Sequence, residues 1–143
     1  MQERLLERLA ARGAVPDAVL ACPHHPDAQP PYAHPDHPSR KPNPGMILSA
    51  AGMLPIRLDE SWIVGDRWTD LAAGRSAGLA GGLHVATGYG SNPGERNAAL
   101  ALRTNRFKVR TGRSVGDAAS LLSLMAGAAT GHPAGAAAQP RRP

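Results

Sequence analysis

The stretch "SWIVGDRWTDLAAGRSAGLAGGLHVAT", residues 61–87, decides the fold. Its first apolar run stops at Gly65 and Asp66. Apolar residues then recur at helical spacing through "DLAAGRSAG", and Gly78 ends that segment before a second apolar run, "GGLHVAT". Strand, helix and strand in such short order imply parallel pairing, because parallel neighbours need a crossover and a helix is the usual one.

Working outward, Leu5, Leu6, Leu9 and Ala10 form one stripe that Gly13 closes, so residues 2–12 are predicted to be a helix. The segment "DAVLAC", residues 17–22, has the length and composition of a short buried strand. Residues 23–45, "PHHPDAQPPYAHPDHPSRKPNPG", are too dense in proline for regular structure and predict a long, stiff loop. A loop of that length inside a domain is usually functional or stapled by something. Pro44 suits the first residue of a helix that Met46, Ile47, Ala50, Ala51 and Leu54 continue. A final helix is predicted over "VGDAASLLSLMAG", residues 115–127. The alternation of strand and helix makes this an α/β chain with a parallel sheet, and excludes all-α and all-β arrangements.

At 143 residues the chain has the length of one domain, with 16 glycines, 14 prolines and only 3% aromatic residues. A core forms at that size only if most of the chain folds. "AGAATGHPAGAAAQPRRP" has nothing to pack, so the reading divides the chain into a folded part, 1–124, and a disordered Ala/Gly/Pro tail, 125–143. The net charge of +5 is concentrated in "RTNRFKVRTGR", residues 103–113. Such a run is usually a solvated face, and its single phenylalanine is too little for a base-stacking platform, so no nucleic-acid partner is expected. The one cysteine, Cys22, excludes an intrachain disulfide and fits a reducing compartment. The amphipathic start "MQERLLERLAARGA" is neither a signal peptide nor a membrane span, so a cytoplasmic location with no membrane partner is expected.

In parallel α/β sheets ligands bind beyond the carboxyl ends of the strands. Asp66 stands at such an end, as a metal ligand or as a turn aspartate. Asp70 begins the next helix, where a carboxylate also satisfies free amides and the positive end of the dipole. Mg²⁺ suits such a place, since it takes one or two carboxylates and fills its remaining positions with phosphate and water. Arg40 and Lys41, in the proline frame "SRKPNPG" just before a helix, are either exposed charges or a phosphate site. Cys22, with His24 or His25 and His34 or His37, offers zinc-type ligands on one loop; the other reading is exposed loop histidines.

Four motifs in order, "CPHHPD", "RKPNPGM", "VGDRWTDLAAGRSAGL" and "VATGYG", resemble the haloacid-dehalogenase-like (HAD) phosphatases of the histidinol-phosphate and D-glycero-D-manno-heptose 1,7-bisphosphate type. The resemblance runs over residues 2–124. It implies a Rossmann-like three-layer parallel sheet and a cytoplasmic, Mg²⁺-dependent phosphomonoesterase acting on a small phosphorylated substrate, with the heptose bisphosphate preferred. By position, Asp66 is implied as the Mg²⁺ ligand, Lys41 as the residue that stabilises the phosphate and the nucleophile's charge, and Arg40 and Arg67 as substrate contacts. Asp70 is implied as a supporting acid. A Zn²⁺ loop is implied at Cys22, His24 and His37, but Ser39 stands where a cysteine is expected, so the fourth position is lost or taken by His25, His34 or water.

The family's Asp-x-Asp motif, nucleophile and general acid, has no counterpart here. The seven aspartates are 17, 27, 36, 59, 66, 70 and 117, and no two are two residues apart. The resemblance therefore implies a HAD core lacking its first two strands in this chain, with the nucleophile on a missing amino-terminal segment or a separate polypeptide. The readings left open are an enzyme inactive alone, a histidinol-phosphate-type phosphatase, a non-catalytic metal- or phosphate-binding remnant and, least of all, a basic nucleic-acid binder.

Overall fold

A computed structural model of the chain describes residues 2–120. The tail expected at 125–143, and most of the expected last helix, lie outside these residues. The described elements run α1 (Gln2–Ala10), α2 (Gly45–Met53), β1 (Trp62–Gly65), α3 (Trp68–Ala77), β2 (Gly81–Val85), α4 (Glu95–Ala101) and β3 (Lys108–Gly112), with single 3-10 turns between some of them. The three strands form one parallel sheet in the order β1-β2-β3. Ile63 pairs with Gly82 and Gly65 with His84; on the other side of β2, Gly82 pairs with Val109 and His84 with Thr111.

The unit around residues 61–87 forms as its pattern dictates. Gly78 takes a left-handed conformation (φ 87°) and ends α3, where its N–H reaches the Arg75 carbonyl. Helix α3 packs on β1 and β2, and α4 packs on α3 and β3. Between them lies a small core of Leu71, Leu79, Ala99, Phe107 and Val109, against which Ile47, Leu58, Ile63, Leu100 and Leu102 pack. Phe107 contributes the most volume and is 2% exposed.

Two elements carry signals too short for periodicity. Helix α4 has seven residues, and β3 lies inside the basic run. There Lys108 and Arg110 are exposed while Val109 is buried, a two-residue alternation, and Arg103 Nη2 donates to the outward Val109 carbonyl at 3.2 Å. The run is thus a charged strand at one side of the described sheet, a common protection against further pairing.

Three expectations need correction. "DAVLAC" is neither strand nor buried: residues 17–22 are irregular, and Val19 is 36% exposed. An extended segment becomes a strand only through a ladder, and no strand lies beside it among the described residues. Pro44 precedes α2 as its cap residue, with its carbonyl accepting from Ile47 and Leu48, so the helix proper starts at Gly45. The predicted last helix opens instead with a 3-10 turn, Val115–Asp117.

Asp117 closes that turn by accepting from the backbone N–H of Arg113 (2.6 Å) and Ser114 (3.2 Å), and these bonds hold its carboxyl below the ordinary value of 3.8. The carboxylate's contribution to stability is therefore present above pH 3.8 and is lost as pH falls from there through the lower folded value. Acid unfolding of Asp117→Asn, followed by circular dichroism beside the parent chain, is expected to be shallower over that window. Identical acid profiles would contradict it.

Candidate active site

The site gathers at the carboxyl end of β1. Asp66 follows Gly65 directly, and a Cβ on Gly65 would lie 2.3 Å from the Asp70 Cβ, so only glycine lets the start of α3 close this tightly over the strand end. Asp70 is 6% exposed and both its oxygens are engaged. Oδ2 accepts from the Arg67 N–H at 3.0 Å, the reach-back half of a capping box, and Oδ1 accepts from Lys41 Nζ. The Lys41 side chain is 45% exposed, so this pair joins a half-open loop cation to a buried helix-start anion.

Asp66 is placed differently. Its Oδ2 accepts from the Tyr89 N–H at 2.8 Å, and Gly88 (φ 61°) lies so near that a Cβ there would sit 2.2 Å from the same oxygen. The loop after β2 thus cradles one oxygen of Asp66, and no partner occupies the other among the described residues. A carboxylate with one free oxygen beyond a strand end fits Mg²⁺, which needs few protein ligands. Asp70, with both oxygens used, does not offer itself as a second one. Among the described residues no three of His, Cys, Asp and Glu are grouped so as to hold a metal ion.

Beside this lies a cleft of about 360 Å³ whose lining includes Arg40, Lys41, Arg67, Cys22, His24 and Thr69. Three cations therefore face one cavity. Arg40 Nη1 also donates to the His24 carbonyl at 3.1 Å, and Arg67 lies 5.2 Å over the Tyr89 ring with its Nε 3.7 Å from Glu95 Oε1. Glu95 Oε2 accepts from the Trp68 N–H at 2.8 Å, so one carboxylate orients Arg67 and satisfies the start of α3. The lining does not include Asp66 or His37.

Glu95 carried no signal in the sequence, because α4 was not legible and an acid at a short helix start is ordinary. Tyr89 lies in the quoted "VATGYG", yet its contact with Asp66 is made through its backbone, which residue type does not reveal. In the proline-rich loop, His24 stacks on His37 with ring centroids 3.8 Å apart, and His34 meets both edge-on at 5.8 and 5.2 Å. Partial burial lowers the His37 pKa below 6.5, and the facing rings of His24 and His34 add to the shift.

The HAD-hydrolase-like family model matches residues 38–106, the span that holds Lys41, Asp66 and Asp70. Over that span, just under half of its length, the chain is similar to the HAD-like hydrolases. It is 50% identical over 82 residues to the D-glycero-β-D-manno-heptose-1,7-bisphosphate 7-phosphatase of Mesorhizobium japonicum, covering 57% of this chain and 38% of that one. With the enzyme of the same name from Escherichia coli K12 it shares 37% over 91 residues, 64% of this chain and 48% of that one. It thus spans less than half the length of these relatives. Two crystal structures share its fold. One, described as a HAD-like phosphatase of Mesorhizobium loti, has a TM-score of 0.68 at 37% identity, over 85% of this chain and 53% of that one. The other is D,D-heptose 1,7-bisphosphate phosphatase of B. bronchiseptica complexed with magnesium and phosphate, with a TM-score of 0.62 at 28% identity, over 90% of this chain and 62% of that one.

The cradle around Asp66 makes a direct prediction for this HAD-like segment. If Asp66 holds Mg²⁺, Gly88→Ala, which would force its carboxylate aside, is expected to lower Mg²⁺ affinity measured by calorimetry about 10- to 100-fold, as when a metal ligand loses its support. Unchanged affinity would show that Asp66 needs no such seat.

Proposed function

We propose that this chain supplies the Mg²⁺- and phosphate-binding portion of a phosphomonoester hydrolase of the heptose 1,7-bisphosphate 7-phosphatase type, and that the attacking carboxylate comes from polypeptide outside these 143 residues. The observation that carries the reading is the meeting of Lys41, Arg40 and Arg67 at one cleft beside Asp66, at the carboxyl end of a parallel strand. Guanidinium and ammonium groups fixed around a cavity are what a phosphoryl group with charge on three oxygens requires. Bound at the free oxygen of Asp66, Mg²⁺ would draw charge from the phosphoryl group as it is transferred.

The chain's own residues do the remaining work. Lys41, held by Asp70, presents a fixed positive charge where an incoming anion and a phosphoryl oxygen would otherwise repel each other. Arg40 is restrained from behind by the His24 carbonyl, and Arg67 by Glu95 and Tyr89, so neither cation must be ordered when substrate arrives. What is missing is a nucleophile and a general acid: Asp70 is consumed by Lys41 and Arg67, and no Asp-x-Asp pair is present. Among the described residues β1 has no strand on its outer side, so a further parallel strand there would end beside Asp66 and Lys41.

The same absence favours a second reading for the chain by itself, a non-catalytic metal and phosphate binder. Histidinol phosphate is an alternative substrate class. The cytoplasm is the proposed location; no helix among the described residues is long and apolar enough to cross a membrane.

A fusion carrying the amino-terminal half of the Mesorhizobium loti relative ahead of this chain tests the proposal. It is expected to release phosphate from the heptose bisphosphate only with Mg²⁺, and the same fusion with Asp66→Asn is expected to be inactive. Turnover by the 143-residue chain alone would overturn the external nucleophile. A folded fusion that binds Mg²⁺ but hydrolyses no phosphomonoester would overturn the hydrolase reading.

A further inference from the structure

The proline-rich loop lies where the resemblance implies zinc, and the donors present do not fit that ion. A structural zinc site takes four ligands converging tetrahedrally on one point. Imidazole lone pairs lie in the plane of the ring, yet His24 and His37 are face to face, 16° from parallel with centroids 3.8 Å apart. Their lone pairs therefore run side by side and do not converge. His37 Nδ1 is also taken, accepting from the Ser39 N–H at 3.1 Å, and Ser39 itself replaces a thiolate with a hydroxyl. The His24 Nδ1 is buried without a partner, but one donor does not make a site.

We infer that His24 and His37 form a metal-free aromatic staple, and that His24 acts in it as a ring and as a backbone carbonyl rather than as a ligand. The staple does in this loop what a metal would do: it joins residues 24 and 37 across a segment that has no regular structure. Hydrogen bonds fasten the rest. The His25 N–H reaches the Tyr32 carbonyl (3.0 Å), and Asn43 Nδ2 reaches the His37 carbonyl (3.1 Å). The Gly45 N–H reaches the Pro38 carbonyl (2.9 Å) at the foot of α2. The stacked ring also fixes the His24 main chain, whose carbonyl holds Arg40 at the cleft. His24 is thus a positioning residue for Arg40, a consequence that rests on the phosphate-binding reading above. The staple itself does not.

An aromatic ring that cannot bind a metal separates the two accounts. The full chain, purified without added metal and then dialysed against Zn²⁺ at micromolar concentration, is expected to retain less than about one-tenth of an equivalent of zinc by mass spectrometry. Its melting temperature is expected to be the same with and without EDTA. His24→Phe is expected to keep that melting temperature within about 2 °C, whereas His24→Ala is expected to lower it by about 4 °C or more. In calorimetry with inorganic phosphate, His24→Phe is expected to bind as the parent does and His24→Ala several-fold more weakly. One tightly held zinc per chain, or a His24→Phe chain destabilised as much as His24→Ala, would overturn the staple. If the parent chain binds no phosphate while the metal and melting results hold, the phosphate reading fails and the staple stands.

Discussion

One charge pair ties this structure together. Lys41, from a loop with no regular structure, donates to Asp70 on the first turn of α3, and Asp70 is almost wholly buried. The second oxygen of the same carboxylate accepts from the Arg67 N–H and so fixes the turn between β1 and α3, on which Asp66 and Arg67 are carried. Loop cation, helix start and the Asp66 carboxylate are thereby set relative to one another by a single side chain. Removing Lys41 leaves the buried Asp70 charge without its partner, whereas removing Asp70 leaves a half-exposed cation that water can solvate.

The sheet explains why that pair sits where it does. Residues 62–85 are a crossover of strand, helix and strand, and Gly65 allows α3 to start hard against the end of β1, which brings Asp70 under the loop. On the other flank, the turn after β2 folds back so that the Tyr89 N–H reaches Asp66. The site is therefore assembled from both strand ends of the central crossover plus one long loop. Glu95, from α4, aligns Arg67 from behind.

The sequence made some of this legible and hid the rest for physical reasons. The crossover was readable because its apolar runs are bounded by Gly65 and Gly78, whose conformational meaning is local. The proline-rich loop was readable as a loop, but its internal order was not: stacking of His24 on His37 depends on a path through space that prolines permit without encoding. "DAVLAC" looked like a strand because composition reports burial, whereas a strand exists only when a neighbour is in place. Strand β3 was hidden by its charges, since Lys108 and Arg110 alternate with a single buried valine. Among candidate site residues, Arg40, Lys41 and Arg67 share a cleft that their separation in sequence could suggest only through the resemblance to HAD phosphatases. The engagement of both Asp70 oxygens needed the fold.

The central claim is that Lys41 and Asp70 act as one unit, and a double-mutant cycle on stability measures it most directly. Lys41→Met, Asp70→Asn and the double variant are compared with the parent by urea denaturation. Because Lys41 is partly exposed, the expected coupling is modest, about 1 kcal/mol, with the double variant less destabilised than the sum of the two single changes. Additivity within about 0.3 kcal/mol would contradict the account, for it would mean that the loop and the helix start are held in place independently.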